Sequence, residues 1–549
     1  MNELLLMRLA EEGGLLQQEL GLVVLLFIAA LVAIVVRRIP RIPYTTALVV
    51  VGLGLTLFPN FLAFDVNSDI ILAILVPPLL FEATLLIPWS KLKADLGLIL
   101  LLAVGGTLLG TILVGGVVMQ TLGIPLAAAL AFGALISATD PVSVISFFRT
   151  MGISKRLSLL VEGESLFNDG VAIVLFKLAL VMGVAGAGAF GPGAAVLEFL
   201  IVSAGGLAVG LVLGYVVSAL ILKNVDDHLI ETTTTVALAF GSYVIAESFG
   251  QFIGVTSLHF SGILAVVAAG LMVGNIGMQN TSPSTRLTLD SFWEFSAYMV
   301  NSIVFLLIGL EIELPQLLQF LGPILVAVAV VLASRAIIVY VSTVVHNWLR
   351  PKHTIPLFYQ HVMYWGGLRG AISLALALSL DGHVFGADFA LELRIMTFGV
   401  VLFTLLVQGT TMERLIKRLG LSEKSAQRTE LQKRQVRLYA KRAGQLELDR
   451  LRQDGILYQD IWEAMHQVYD ETIDRQTAAL QSHLTSYPEL EQELFLQARE
   501  DVLKAERTAV SDAWRRGLIA QDVHDEMMKE LNNRLAALAI IHENRGLEE

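Results

Sequence analysis

The sequence predicts an all-α polytopic membrane protein with about 13 transmembrane helices and a helical cytoplasmic C-terminal domain. Three observations carry this. The chain of 549 residues is 55% hydrophobic and only 16% charged, where a soluble globular domain carries about 25% charge. The charge is unevenly placed: Leu421–Glu549 holds 18 Lys/Arg and 24 Asp/Glu, and the preceding 420 residues hold only 20 and 25. Apolar runs of the length that crosses a bilayer, about 17–25 residues, recur along those 420 residues. The resulting domains are an outside segment 1–18, a membrane domain 19–420 and a cytoplasmic helical tail 421–549.

The runs lie at about 19–36, 43–60, 69–88, 96–120, 125–149, 157–184, 194–222, 230–249, 257–278, 289–310, 320–348, 354–380 and 389–413. Charge orients them. With the N-terminus outside, the cytoplasmic loops carry Arg37, Arg38 and Arg41; Lys91 and Lys93; Arg149, Lys155 and Arg156; Lys223; Arg286; Arg350 and Lys352; and Lys417 and Arg418. The intervening outside loops are nearly free of Lys and Arg, as the positive-inside rule requires. Removing one span would break the alternation from that point on. The tail is therefore expected in the cytoplasm and the chain in the cell membrane, in contact with lipid.

One stretch departs from this apolar background. Ser137–Lys177 reads SATDPVSVISFFRTMGISKRLSLLVEGESLFNDGVAIVLFK and places Asp140, Glu162, Glu164 and Asp169 in two consecutive spans. A charge at membrane depth costs roughly 2.5–3.5 kcal/mol on insertion scales and about 10 or more in simulations. A cation, a proton or a buried arginine must offset it. Pro141 removes a backbone hydrogen bond and biases Asp140 away from helical geometry. Thr139 and Asp140 are thus expected in a broken helix with free carbonyls, the oxygen donors a hard cation such as Na⁺ takes. Ser165 and Asp169 lie four residues apart and share a helix face, and Asn168 beside them can hold the broken backbone or orient the carboxylate. Glu162 is expected at a helix end, outside the site. A second interruption, Gly366–Gly370, falls in the twelfth run, and Ala138–Val144 falls in the fifth. With the seventh run as linker, both are fifth in a six-helix repeat, which points to inverted repeats and a midplane site.

The motifs ATDPVSV (Ala138–Val144), EGESLFND (Glu162–Asp169), PPLLFEA (Pro77–Ala83) and GGLRGAISL (Gly366–Leu374) together resemble the electroneutral branch of the cation/proton antiporters. That branch holds the bacterial NhaP-type sodium/proton antiporters and the eukaryotic sodium/proton exchangers. The resemblance implies two crossing broken helices and a homodimer. It implies a cation site at Thr139, Asp140, Ser165, Asn168 and Asp169, joined by Glu82 of the third span. It also implies a structural salt bridge between Glu164 and Arg369, with Arg335 left as a structural or tuning charge. Asn168–Asp169 stands where the electrogenic branch has two aspartates, which implies one cation exchanged per proton. Na⁺ is the expected cation, with K⁺ or Li⁺ as alternatives.

Two carboxylates sharing one desolvated site titrate as a unit and bind either Na⁺ or a proton, so competition gives exchange without a cofactor and without catalysis of a reaction. The lack of cysteine rules out disulfides and thiolate metal sites. A net charge of −11 gives no reason to expect nucleic acid. No Gly-x-x-x-x-Gly-Lys-[Ser/Thr] loop supports an ATP-driven pump, and no repeated filter motif supports an ion channel. In the tail, Gly455-Ile-Leu-Tyr-Gln-Asp-Ile recurs as Gly517-Leu-Ile-Ala-Gln-Asp-Val, followed by Met465 and Met527 at the same offset. Each glycine is placed to end a helix, and Asp460 and Asp522 to begin the next. The pattern predicts two helical hairpins in a regulatory or dimer-stabilising domain.

Overall fold

The computed structural model describes residues 21, 23–38, 43–57, 71–186, 191–225, 227–255, 258–281, 283–351 and 353–545. The expected outside segment 1–18, Arg41, Lys352 and the adjoining ends of the second and third apolar runs lie outside the described residues. The chain divides into two compact units, Met1–His346 with Ile355–Leu419, and Asn347–Thr354 with Gly420–Glu549.

In the first unit the apolar runs form helices α1 (Val23–Val36), α2 (Tyr44–Leu55), α3 (Ile71–Leu85), α4 (Trp89–Leu122), the interrupted α5 (Leu126–Ser137 and Val142–Met151) and α6 (Lys155–Ala185). These are followed by α7 (Gly193–Ile221), α8 (His228–Glu247), α9 (Gly262–Gly277) and α10 (Pro283–Leu310). Next come α11 (Leu321–Leu349), the interrupted α12 (Leu357–Trp365 and Ala371–Leu378) and α13 (Ala387–Arg418). Among the described residues, 8 helices are long and apolar enough to cross a membrane. Their burial separates them: the apolar window of Leu126–Arg149 is 72% buried in protein, and that of Gly193–Ile221 only 17%. An apolar helix with so little protein cover has hydrocarbon as its natural solvent.

Packing follows the small residues. Helix α7 presses a Gly206, Gly210 and Gly214 stripe onto α9, so that a Cβ at Gly210 falls 2.0 Å from the Ala265 carbonyl oxygen. Such close backbone approach is how helices associate where no hydrophobic effect drives them together. One group of helices joins α2, α3, α7, α8, α9 and α10; another joins α4, α5, α6, α12 and α13. The fourth helix begins at Trp89, earlier than the expected 96. Pro88 is extended, the Trp89 N–H donates to Asn275 Oδ1 at 2.6 Å, and the charged run therefore lies on the first helical turns. There Asp95 is buried and receives Arg156 in a two-pronged pair, Nε at 2.9 Å and Nη2 at 2.8 Å. That pair ties the start of α6 to α4.

The second unit contains α14 (Leu421–Gln453), α15 (Gln459–Ser486), α16 (Pro488–Arg515) and α17 (Gln521–Arg545). Gly455 and Gly517 both take φ 71° at the turns, and Asp460 and Asp522 lie in the first turns that follow. Left-handed backbone is available to glycine at little cost, hence its place at helix ends. Leu496, Leu503 and Val510 pack with Leu531 and Leu538, a seven-residue spacing that keeps one seam between two helices.

Candidate functional site

The interruption of α5 is built from its own sequence. Ala138 turns extended after Ser137, at ψ 133°, and Pro141 offers no N–H. The second half starts at Val142, whose N–H donates to Asp140 Oδ1 at 2.9 Å, so the acid caps a helix start as short acidic side chains do. The interruption of α12 meets it directly. The Asp140 N–H donates to the Leu368 carbonyl at 2.7 Å. A Cβ at Gly370 would lie 2.2 Å from Asp140 Oδ2; only glycine admits this approach. The Arg369 N–H donates to Thr404 Oγ1 of α13 at 3.2 Å, which satisfies one backbone group that the break releases.

Helix α6 holds the break from the other side. Ser165 donates its hydroxyl to the Thr139 carbonyl. Asn168 uses both ends of its amide: Oδ1 accepts from the Thr139 N–H at 3.3 Å, and Nδ2 donates to Thr139 Oγ1 at 2.7 Å. Thr139, Ser165, Asn168 and Asp169 are buried. A cavity of about 110 Å³ opens between α3, α5, α6, α10 and α12. Glu82, Thr139, Asp140, Ser165 and Asp169 all line it. Asn168 does not; its amide is spent on Thr139, and it faces a smaller polar cavity with Glu164, Arg335 and Arg369. Among the described residues no cluster of three or more His, Cys, Asp or Glu is positioned to hold a resident metal ion. The lining acids come from three helices: Glu82 from α3, Asp140 from the interruption of α5, and Glu162 and Asp169 from α6.

Three residues stand differently from the expectation. Glu164 pairs with Arg335, not Arg369. Arg335 Nη1 bonds Glu164 Oε1, Nη2 bonds Oε2 at 3.0 Å, and Nη2 also reaches the Met363 carbonyl at 3.0 Å. Arg369 instead donates Nη1 to the carbonyls of Ser137 at 2.8 Å and Ala138 at 3.1 Å. The physical reason is the broken helix itself: the end of α5 leaves carbonyls without helical donors, and Arg369 projects from the facing break. Glu162 also lines the cavity, although its place near a helix end argued against it; with Ser165, Leu166 and Asp169 it falls on one helical face. Asn301 of α10 is a further lining residue. Its signal was available, a lone amide in the apolar run YMVNSIVFLLIGL, since polar groups at membrane depth mark functional positions.

An apolar helical bundle whose two interrupted helices meet beside a largely apolar cavity lined by several carboxylates defines a polytopic membrane transporter. The profile of the family described as sodium/hydrogen exchanger, transmembrane, matches residues 23–418. The Na⁺/H⁺ antiporter ApNhaP of Aphanothece halophytica is 37% identical over 500 residues, covering 91% of each chain. The Na⁺/H⁺ antiporter NhaG of Bacillus atrophaeus is 34% identical over 517 residues, covering 92% of this chain and 94% of its own. The sodium proton antiporter MjNhaP1 of Methanocaldococcus jannaschii has the same fold, with TM-score 0.63 at 21% identity over 74% of this chain and 99% of its own. The chain belongs to the sodium/hydrogen exchanger family, among its NhaP-type antiporters.

Proposed function

We propose that this protein exchanges Na⁺ for H⁺ across the cell membrane, one for one, at a site formed by Asp140 and Asp169 with oxygens of Thr139 and Ser165. One observation carries the reading: carboxylates from three different spans line a single cavity beside the two interruptions. Asp169 is the shared carboxylate, taking either a proton or the cation. Glu82 contributes negative charge from the opposite wall. Asn168 acts on the site through Thr139, holding the unwound backbone in register. Arg369 neutralises the carbonyl end of α5, and the Glu164–Arg335 pair is the buried structural bridge.

The rest of the reading is topological. The eight long helices, the four shorter apolar helices and the interrupted α12 support thirteen spans, with the interruptions fifth and twelfth. That is the inverted-repeat arrangement in which a midplane site alternates between faces as one helix group rocks against the other. The uneven placement of Lys and Arg supports an outside N-terminus and a cytoplasmic second unit, which we assign to regulation. The Asn168–Asp169 pair supports electroneutral exchange, and the resemblance to the NhaP-type family supports a homodimer. Substrates are Na⁺ and H⁺ alone, with no cofactor.

The test is reconstitution in liposomes holding a proton gradient. Added NaCl should dissipate the gradient even when valinomycin and K⁺ clamp the voltage, and Asp169→Asn should abolish the response with normal expression. Retained exchange in Asp169→Asn would remove that residue from the site. Dissipation that disappears under the clamp would overturn one-for-one exchange.

A further inference from the structure

Along α6 the cavity extends from Asp169 towards Glu162. Its lining residues on that helix are Glu162, Ser165, Leu166 and Asp169, and they stop there. Beyond Asp169 the same helix is pressed onto α9: a Cβ at Gly170 would fall 2.5 Å from Leu264 Cδ2. Two turns further, Lys177 Nζ reaches both oxygens of Glu247 at the end of α8, Oε1 at 2.9 Å and Oε2 at 2.6 Å. Glu247 is itself held in place. Its Oε1 accepts the Gly262 N–H at 3.2 Å, at the first residue of α9, and the Phe260 N–H bonds the Ala246 carbonyl at 3.0 Å. The pair is only partly exposed, with side chains 34% and 24% accessible. It thus joins the helix that carries Asp169 to the end of α8 and the start of α9, on the side of Asp169 that the cavity does not reach.

We infer that Lys177–Glu247 is the latch of the closed side: it holds α6 against α8 and α9 while the site opens towards Glu162, and it parts when the site turns to face the other way. This rests on the alternating-access reading. A moving carboxylate site needs a seal on the side it is not facing, and Gly170–Leu264 supplies the apolar part of it. The ion pair adds a contact that exists in one state only. A contact made in one state shifts the equilibrium by its own free energy. A half-exposed pair is worth enough to change the populations about two- to fivefold.

The cysteine-free chain makes the test direct. Ile173 is buried and falls on the α6 stripe between Gly170 and Lys177. A single thiol introduced by Ile173→Cys is exposed to a membrane-impermeant maleimide from the Lys177 face of sealed vesicles. Lys177→Met and Glu247→Gln are compared; the second keeps an acceptor for the Gly262 N–H and so preserves the local fold. Both should label about two- to fivefold faster than the parent. Both should also bind Na⁺ from that face with an apparent affinity raised by a similar factor, because more of the protein is open to it. Unchanged labelling would overturn the latch. So would faster labelling without any change in the Na⁺ dependence, which is the mark of local loosening. The parent's own Na⁺-driven exchange, measured first, tests the exchange reading separately: its absence overturns that reading, and variants unchanged beside an exchanging parent overturn the latch alone.

Discussion

Arg335 and Arg369 face one small polar cavity with Glu164 and Asn168, and each does a different job. Arg335 grips the Glu164 carboxylate with two nitrogens, the planar fork that lysine cannot copy. Arg369 addresses carbonyls. Removing one partner of a buried pair costs about 3–5 kcal/mol, whereas replacing both with apolar groups is often near neutral. Arg335→Ala should therefore lower the melting temperature in detergent sharply, and Glu164→Met with Arg335→Met should recover most of the loss. Equal melting temperatures for the single and double variants would remove the pair from the fold's supports. Arg369→Gln, which keeps donors for Ser137 and Ala138, should cost less stability than Arg369→Ala. At the cation site the signature is competition. If one carboxylate takes either ligand, lowering the pH raises the apparent Km for Na⁺ and leaves the maximal rate unchanged over the range where protons compete. A falling maximal rate at constant Km would place the proton elsewhere.

At the scale of helices, the interruptions were legible because they are written in single residues. Pro141 after Asp140 removes a helical donor, and Gly366-Gly367 with Gly370 concentrates helix-weakening residues within five positions, so both breaks are signalled locally. Asp140, Asp169, Thr139 and Ser165 stood out by cost, since polar groups in apolar runs require a reason; Glu82 entered only through the family motif PPLLFEA. The partner of Glu164 was not legible. Two arginines occur in late spans, and which one meets Glu164 depends on the rotation of α11 and on the angle between the two breaks, neither of which is a local property. For Asn168 the sequence left two roles open, holding the broken backbone or orienting the carboxylate, and its hydrogen bonds to Thr139 match the first. The start of α4 was missed for a related reason. Lys91, Lys93 and Asp95 look like a loop by charge, yet Asp95 is buried and has an arginine partner, Arg156, that sequence spacing does not announce. A helix-scale prediction follows from the meeting of the breaks. Gly370→Ala puts a methyl group 2.2 Å from Asp140 Oδ2, so the two interruptions must move apart. Exchange should be lost, with a lowered melting temperature. Gly54→Ala in α2 is the control, since nothing lies within 4 Å of its Cβ, and it should match the parent in both measurements.

For the whole molecule the question is what the second unit contributes. Residues that line the cavity run from Val76 to Ser373, and the helices that carry them all belong to the first unit. The second unit has its own apolar seam, Leu496, Leu503 and Val510 with Leu531 and Leu538. It also repeats one design twice. Arg452 lies 4.0 Å from the Trp462 ring in the first hairpin, and Trp514 stacks on His524, with ring centroids 5.0 Å apart, at the corresponding positions of the second. A unit with a separate core and no site residue is not needed to assemble the cavity. Truncation after Leu419 should thus leave a protein that inserts, binds Na⁺ and dissipates a proton gradient in liposomes with the same sensitivity to Asp169→Asn. What should change is the dependence of that rate on conditions at the membrane face that the second unit occupies. Comparing full-length and truncated protein across internal pH at fixed Na⁺ separates the cases. Parallel profiles would deny the second unit any control of transport. Loss of all exchange in a well-inserted truncation would show that the membrane helices need the second unit to turn over, and the division of labour argued from the two cores would fall.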